Sequence, residues 1–220
     1  MFDREAVRLR EILLAQAKVS PLLNLGSSTR EFREVTQPHI HAELFRPLAE
    51  AGVAVIHSDL KQADGVDRAG DILDPAVMGD LTSRGFRCVL ISNLLEHVRN
   101  REAVAAACEE IVGSGGLILA TVPASFPFHA DPIDTYYRPS PSELAALFKR
   151  SRVLLTEDLI TRTYREDWKA RGSTGWKELA KTVGWSLIFF ARPKSFASRA
   201  HRWLWYSRPY RVSIALLSVL

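Results

Sequence analysis

Asp59 closes the apolar stretch VAVIHSDL, and a carboxylate at a strand end can accept both hydroxyls of a ribose. The next loop, AGDILDP, carries Asp71, able to accept an exocyclic amine of an adenine, with Ile72 and Leu73 to lie against the ring. Upstream, LLNLGSSTRE runs from an apolar strand into a single glycine, Gly26, followed by Ser27, Ser28 and Thr29. Glycine permits a turn and a close backbone approach. A helix beginning near Ser28 would aim its free N–H groups at a ligand above that turn. Taken alone, the turn also reads as an ordinary Ser/Thr helix cap, and each aspartate as a cap or solvated turn acid. Asp59 follows Gly26 by 33 residues, later than the roughly 20 of a dinucleotide fold, and REVTQPH accounts for the excess.

A second group of residues follows LLEHV. His97 is placed to act as a general base, while Glu96 and His97 can equally orient the helix start and pack against a sheet. His129, Asp131, Asp134, Tyr136, Tyr137 and Arg138 cluster in the proline-punctuated segment FPFHADPIDTYYRPSPSEL. Such a loop can cover and bind a substrate, or serve as a rigid connector held by Asp–Arg and Tyr contacts. HIH at 39–41 has no cysteine or third histidine at ligand spacing nearby, so no metal site is expected.

These residues need a frame. Residues 3–18 carry apolar side chains at helical spacing, and Pro21 opens a strand over 22–25. HAELFRPLAEAG predicts a helix ended by Gly52, VAVIHSDL a second strand, and RCVLIS a third, apolar throughout as a buried parallel strand is. REAVAAACEEIVGSGG predicts a helix stopped by glycines before a fourth strand, LILATVP. Strands alternating with helices argue for an α/β fold whose parallel sheet is covered on both faces. Ligands in such sheets sit beyond the carboxyl ends of the strands, where Gly26–Thr29, Asp59 and Asn93–His97 fall.

The 220 residues suit one domain, and 47% apolar with 25% charged side chains describes a globular chain. The start, MFDREAVRLREILL, interleaves acids and bases, unlike a secretory leader. Cys88 and Cys108 lie in apolar settings and read as reduced core residues of a cytoplasmic protein.

In this order, the strand–glycine turn, strand-end Asp, GD loop, ISNLLEHV and Gly-Gly before a strand resemble the class I S-adenosylmethionine-dependent methyltransferases. The resemblance is to the broad bacterial type 11-like group, over roughly residues 20–150, and the HADPIDTYYRP run extends it. It implies a Rossmann-like, doubly wound, mostly parallel sheet with helices on both faces, and S-adenosylmethionine as cofactor. It places Asn24, Gly26, Ser27 and Ser28 by the methionine part, Asp59 on the ribose, Asp71 and Ile72 on the adenine, and Asn93 and Leu94 beside the methyl group. His129, Asp131, Asp134, Tyr137 and Arg138 would serve the acceptor, a small molecule or a lipid- or sugar-linked intermediate. Asn24 stands where this group usually has an acid, and Ser28 and Arg30 where it usually has glycines. A non-catalytic binding or scaffold module of the same fold is the alternative. A nicotinamide-dependent oxidoreductase is a weaker one, lacking the further glycines and a hydride-transfer constellation.

The net charge of +4 is unevenly spread. Residues 1–178 hold 22 basic and 25 acidic side chains, whereas residues 179–220 hold seven basic and no acidic ones. The expected division is a methyltransferase-like domain over 1–191, with 183–191 supplying a closing strand, and a basic aromatic tail over 192–220. Tryptophans among arginines suit docking on the domain or a partner, or, through residues 194–220, an anionic membrane surface. Nucleic acid is the least favoured partner. The final run, 212–220, is too short to span a bilayer.

Overall fold

The computed structural model describes residues 1–128, 133–163 and 205–220, together with residues 165, 166, 169, 177, 180 and 184. Seven strands form one sheet: β1 (Leu22–Leu25), β2 (Val55–Asp59), β3 (Arg68–Ala69), β4 (Cys88–Ser92), β5 (Leu117–Ser125), β6 (Ser151–Thr163) and β7 (Pro209–Val219). Their order is β3-β2-β1-β4-β5-β7-β6. β1 pairs in parallel with β2 and β4, β2 with β3, and β4 with β5, while β7 runs antiparallel between β5 and β6. The sheet is therefore doubly wound and mostly parallel.

Alternation along the strands sends one set of side chains to each face. Leu23 and Leu25, Val89 and Ile91, Ile118 and Ala120, and Ala215 and Leu217 pack against the helices Pro75–Ser83, Arg101–Val112 and Pro141–Ala145. Leu22, Cys88 and Leu90, Leu117 and Leu119, and Ile214 and Leu216 face the helix Asp3–Leu14 and the helical stretch 38–50. Ala6, Leu9, Ile12 and Leu13 form the buried stripe of the first helix. Cys88 and Cys108 are free and buried, and burial pushes both thiols up to about 12.

Three expectations are corrected. The chain is helical from Arg30 rather than from near Ser28, with Thr29 capping through its hydroxyl, which accepts the Phe32 N–H at 3.0 Å. The sequence ADGVDRAGDILDP after β2, turn-rich and acidic and so expected as loop, contains the two-residue strand β3. The end of the basic tail is no appendage. Pro209–Val219 lies inside the sheet with Val212 to Val219 buried, so a division at residue 192 cuts through the domain's own sheet. Its apolar residues alternate between the two cores, so they are not available to a membrane surface. The expected strand over 183–191 and the residues 194–204 lie outside the described residues, except Gly184. Among the described residues, no helix is long and apolar enough to cross a membrane.

Candidate active site

The sheet changes winding direction between β1 and β4, and their carboxyl ends open the crevice in which doubly wound sheets take ligands. Gly26 leaves β1 at φ +73°, and a Cβ there would stand 3.1 Å from the Leu94 Cδ atoms. Leu94, from the turn after β4, thus rests directly on the glycine. Gly26 and Ser27 both donate their N–H to the Ser58 carbonyl, at 2.8 and 3.0 Å, tying the turn to β2.

Ser28 has φ +55°, a left-handed conformation uncommon in residues with a side chain. Its N–H donates to Asp59 Oδ2 at 2.7 Å, so this carboxylate oxygen holds the turn. The Asn24 amide donates to His57 Nδ1 at 3.0 Å across the β1–β2 pair. Burial first, and the Arg33 charge second, hold His57 down at about 4, so the imidazole is neutral.

Asp71 is exposed, and its carboxylate caps its own loop by accepting the Leu73 N–H at 2.9 Å. Ile72 packs into the core with only its edge exposed. Leu73 borders an open apolar groove with Ile72, Pro75, Met78 and Ala103. Asn93, at φ +51°, directs its amide to Glu5 Oε1 at 2.7 Å.

Glu5 is a participant that local pattern does not reveal. Fully buried, it reaches from the first helix to the carboxyl ends of β4 and β5. Its Oε1 accepts Asn93, Thr121 at 2.7 Å and Ser92 at 3.3 Å, and its Oε2 accepts the Phe2 N–H. Arg33 and His57 were likewise illegible, since their partners come from other strands and loops. Glu5 sits at a helix-start position where an acid is ordinary, so no sequence signal separates it.

Across the crevice, residues 133–138 are strapped onto the turn after β4. His97 Nδ1 donates to the Ile133 carbonyl, and Thr135 gives both its N–H and its hydroxyl to the Glu96 carbonyl. The first bond fixes the imidazole tautomer with the basic lone pair on Nε2, which lies 3.8 Å from Glu96 Oε1. Arg101 stacks over Tyr137 at 4.4 Å. Asp134 and Arg138 form a two-point buried ion pair with closest approach 2.6 Å. Tyr136 is exposed and stacks on Phe128. Glu96 is fully buried, and neither carboxylate oxygen has a hydrogen-bond partner among the described residues. Desolvation pushes its carboxyl up to about 7. His129 and Asp131 lie outside the described residues. No group of three or more metal-ligating side chains occurs among the described residues.

No family model matches the sequence, and none of the curated proteins matches it. Solved structures do. A structure from Galdieria sulphuraria, named for sarcosine dimethylglycine methyltransferase, is similar at TM-score 0.55 and 14% identity, over 98% of this chain and 83% of that one. A SAM-dependent methyltransferase from Archaeoglobus fulgidus gives 0.53 and 12%, over 98% and 93%. The [4+2]-cyclase SpnF gives 0.52 and 16%, over 99% and 80%. With the strand order and the crevice above, these likenesses show that the chain has the fold of the S-adenosylmethionine-dependent methyltransferases.

Proposed function

We propose that the chain is an S-adenosylmethionine-dependent methyltransferase acting on a small-molecule or lipid- or sugar-linked acceptor. The observation that carries this reading is the convergence of Gly26–Ser28, Asp59 and Leu94 at the switch point of the sheet. The residues present fit the cofactor. Gly26 lets the turn pass close beneath Leu94, the second oxygen of Asp59 would meet a ribose hydroxyl, and exposed Leu73 would offer apolar surface to the adenine. Asn24, Ile72 and Asn93 contribute through backbone and shape, because their side chains are committed to His57, the core and Glu5.

The bound cofactor supplies an activated methyl group on a sulfonium, so the protein's task is alignment and exclusion of water. The 133–138 strap closes the acceptor side, with Asp134 and Arg138 setting its shape. An acceptor hydroxyl or amine must also lose a proton. The tautomer set by the Ile133 carbonyl leaves His97 Nε2 as the ring atom that could accept it. A cytoplasmic setting accords with the two free cysteines.

A non-catalytic module of the same fold is the second reading, favoured by Ser28 and Arg30 in place of glycines. Calorimetric titration with S-adenosylmethionine, S-adenosylhomocysteine and NAD tests the cofactor. Binding of the two adenosyl ligands with NAD silent supports the reading, and no binding of either at millimolar concentration refutes it. Methyl transfer to any acceptor in a panel of hydroxyl- and amine-bearing compounds would remove the non-catalytic alternative.

A further inference from the structure

Arg33 is 4% exposed, and among the described residues it makes no ion pair with a carboxylate. Its guanidinium instead donates to three backbone carbonyls: Nη1 to Ser27 at 2.9 Å and Ser28 at 2.7 Å, and Nη2 to Gly65 at 2.8 Å. Burying a cation is costly; the charges of Glu34, Asp67 and Asp59 act on it only from beyond ion-pair distance, and good hydrogen bonds offset the rest. The planar fork of arginine is suited to holding several carbonyls at once.

The bonds fall where the backbone most needs support. Ser28 occupies the left-handed region, and both its peptide groups are held, the N–H by Asp59 and the C=O by Arg33 together with the Ser27 hydroxyl at 3.1 Å. The third bond couples the turn to the loop after β2, which also accepts the Arg30 N–H through Asp64 at 2.9 Å. Gly65 itself, at φ +76°, has no room for a side chain, since a Cβ would lie 2.6 Å from Arg30 Cβ and 2.9 Å from Arg33 Nη2.

We propose that Arg33 is a positioning residue for the cofactor turn, holding by three hydrogen bonds a backbone shape that glycines reach by conformational freedom. The inference rests on the cofactor reading above and adds to it a residue that touches no ligand itself. It explains how Ser28 holds a left-handed conformation in the turn: Arg33 binds its carbonyl from the following helical stretch.

The test uses the full chain and two probes. Amide exchange on the ligand-free protein reads the turn directly, and calorimetry with S-adenosylhomocysteine reads its competence. Arg33→Met is expected to lose about tenfold protection at the Ser28 and Arg30 amides, with β4 and β5 amides unchanged, and to bind the probe about tenfold more weakly. Arg33→Lys, which keeps the charge but not the fork, should recover only part of both. Gly65→Ala, whose Cβ meets both Arg30 and the Arg33 guanidinium, should likewise lower protection at the Ser28 and Arg30 amides. Unchanged exchange and affinity in folded Arg33→Met overturns the proposal, as does a uniform loss of protection throughout the sheet. Wild-type protein that binds no S-adenosylhomocysteine overturns the cofactor reading instead, and the exchange result alone then decides whether Arg33 clamps the turn.

Discussion

The Ser28 N–H donates to Asp59 Oδ2 at 2.7 Å, so the carboxylate proposed to meet a ribose also holds up the turn beneath it. Both functions rest on one side chain, and substitutions separate them. Asp59→Asn can keep a carbonyl oxygen on Ser28 while losing the charge that strengthens a bond to a ligand hydroxyl. It is expected to weaken S-adenosylhomocysteine binding by about tenfold with a small change in melting temperature. Asp59→Ala removes the support as well and should lower both affinity and stability. Calorimetry and thermal unfolding of the two variants check this, and equal affinities in wild type and Asp59→Ala would take Asp59 out of the site.

Gly26 and Leu94 form a second dependence. At φ +73° any side chain is strained, and a Cβ would meet the Leu94 methyls at 3.1 Å. Gly26→Ala should destabilise the fold by about 1–2 kcal/mol, the cost of a residue held in a sparsely populated conformation. Leu94 ends in flexible methyl groups, so adding Leu94→Ala relieves the contact but not the backbone strain. Thermal unfolding is expected to show partial recovery in the double variant. Full recovery would mean that the conformation of Gly26 carries no cost.

Much of the frame was legible because period and punctuation agree. The apolar runs of β1, β4 and β5 and the glycine at 52 are local signals, and the sheet follows from their alternation with helices. β6 was illegible: SRVLLTEDLITRT at the sheet edge has charged residues on both faces and no sustained apolar run. β7 was misplaced because its apolar residues follow an arginine- and aromatic-rich stretch that resembles a surface element. In the proposed site, the positions of Gly26, Asp59 and Leu94 beyond strand ends were legible from the strand pattern alone. Glu5, Arg33 and His57 could not, since each acts through partners that only the folded sheet brings near.

β7 supplies a decisive test of the domain's extent. Leu117 to Ser125 of β5 and Ser151 to Thr163 of β6 both pair with it, and its side chains join both cores. Deleting residues 209–220 exposes those cores and leaves β5 as an edge. The truncated chain is expected to lack a cooperative thermal transition and dispersed amide resonances. A truncated chain that melts cooperatively near the wild-type temperature would make residues 209–220 a separable tail after all.

Glu96 gives the stability a pH dependence whose sign follows from its burial. Its carboxyl stands at about 7 in the folded protein, above the ordinary 4.5 of the unfolded chain, with desolvation the main cause and the Glu5 charge adding to it against Arg138. Between these values the folded state holds a proton that the unfolded state has released, so stability falls as pH rises. The contribution is fully present below 4.5, declines through the interval and is gone above 7, a change of about 3 kcal/mol at 1.36 kcal/mol per unit. Glu96→Gln keeps the shape and cannot ionise. The difference in unfolding free energy between variant and wild type should therefore shift toward the variant by that amount from pH 4.5 to 8. Denaturant unfolding across this range measures it, and a pH-independent difference would show that Glu96 does not titrate there.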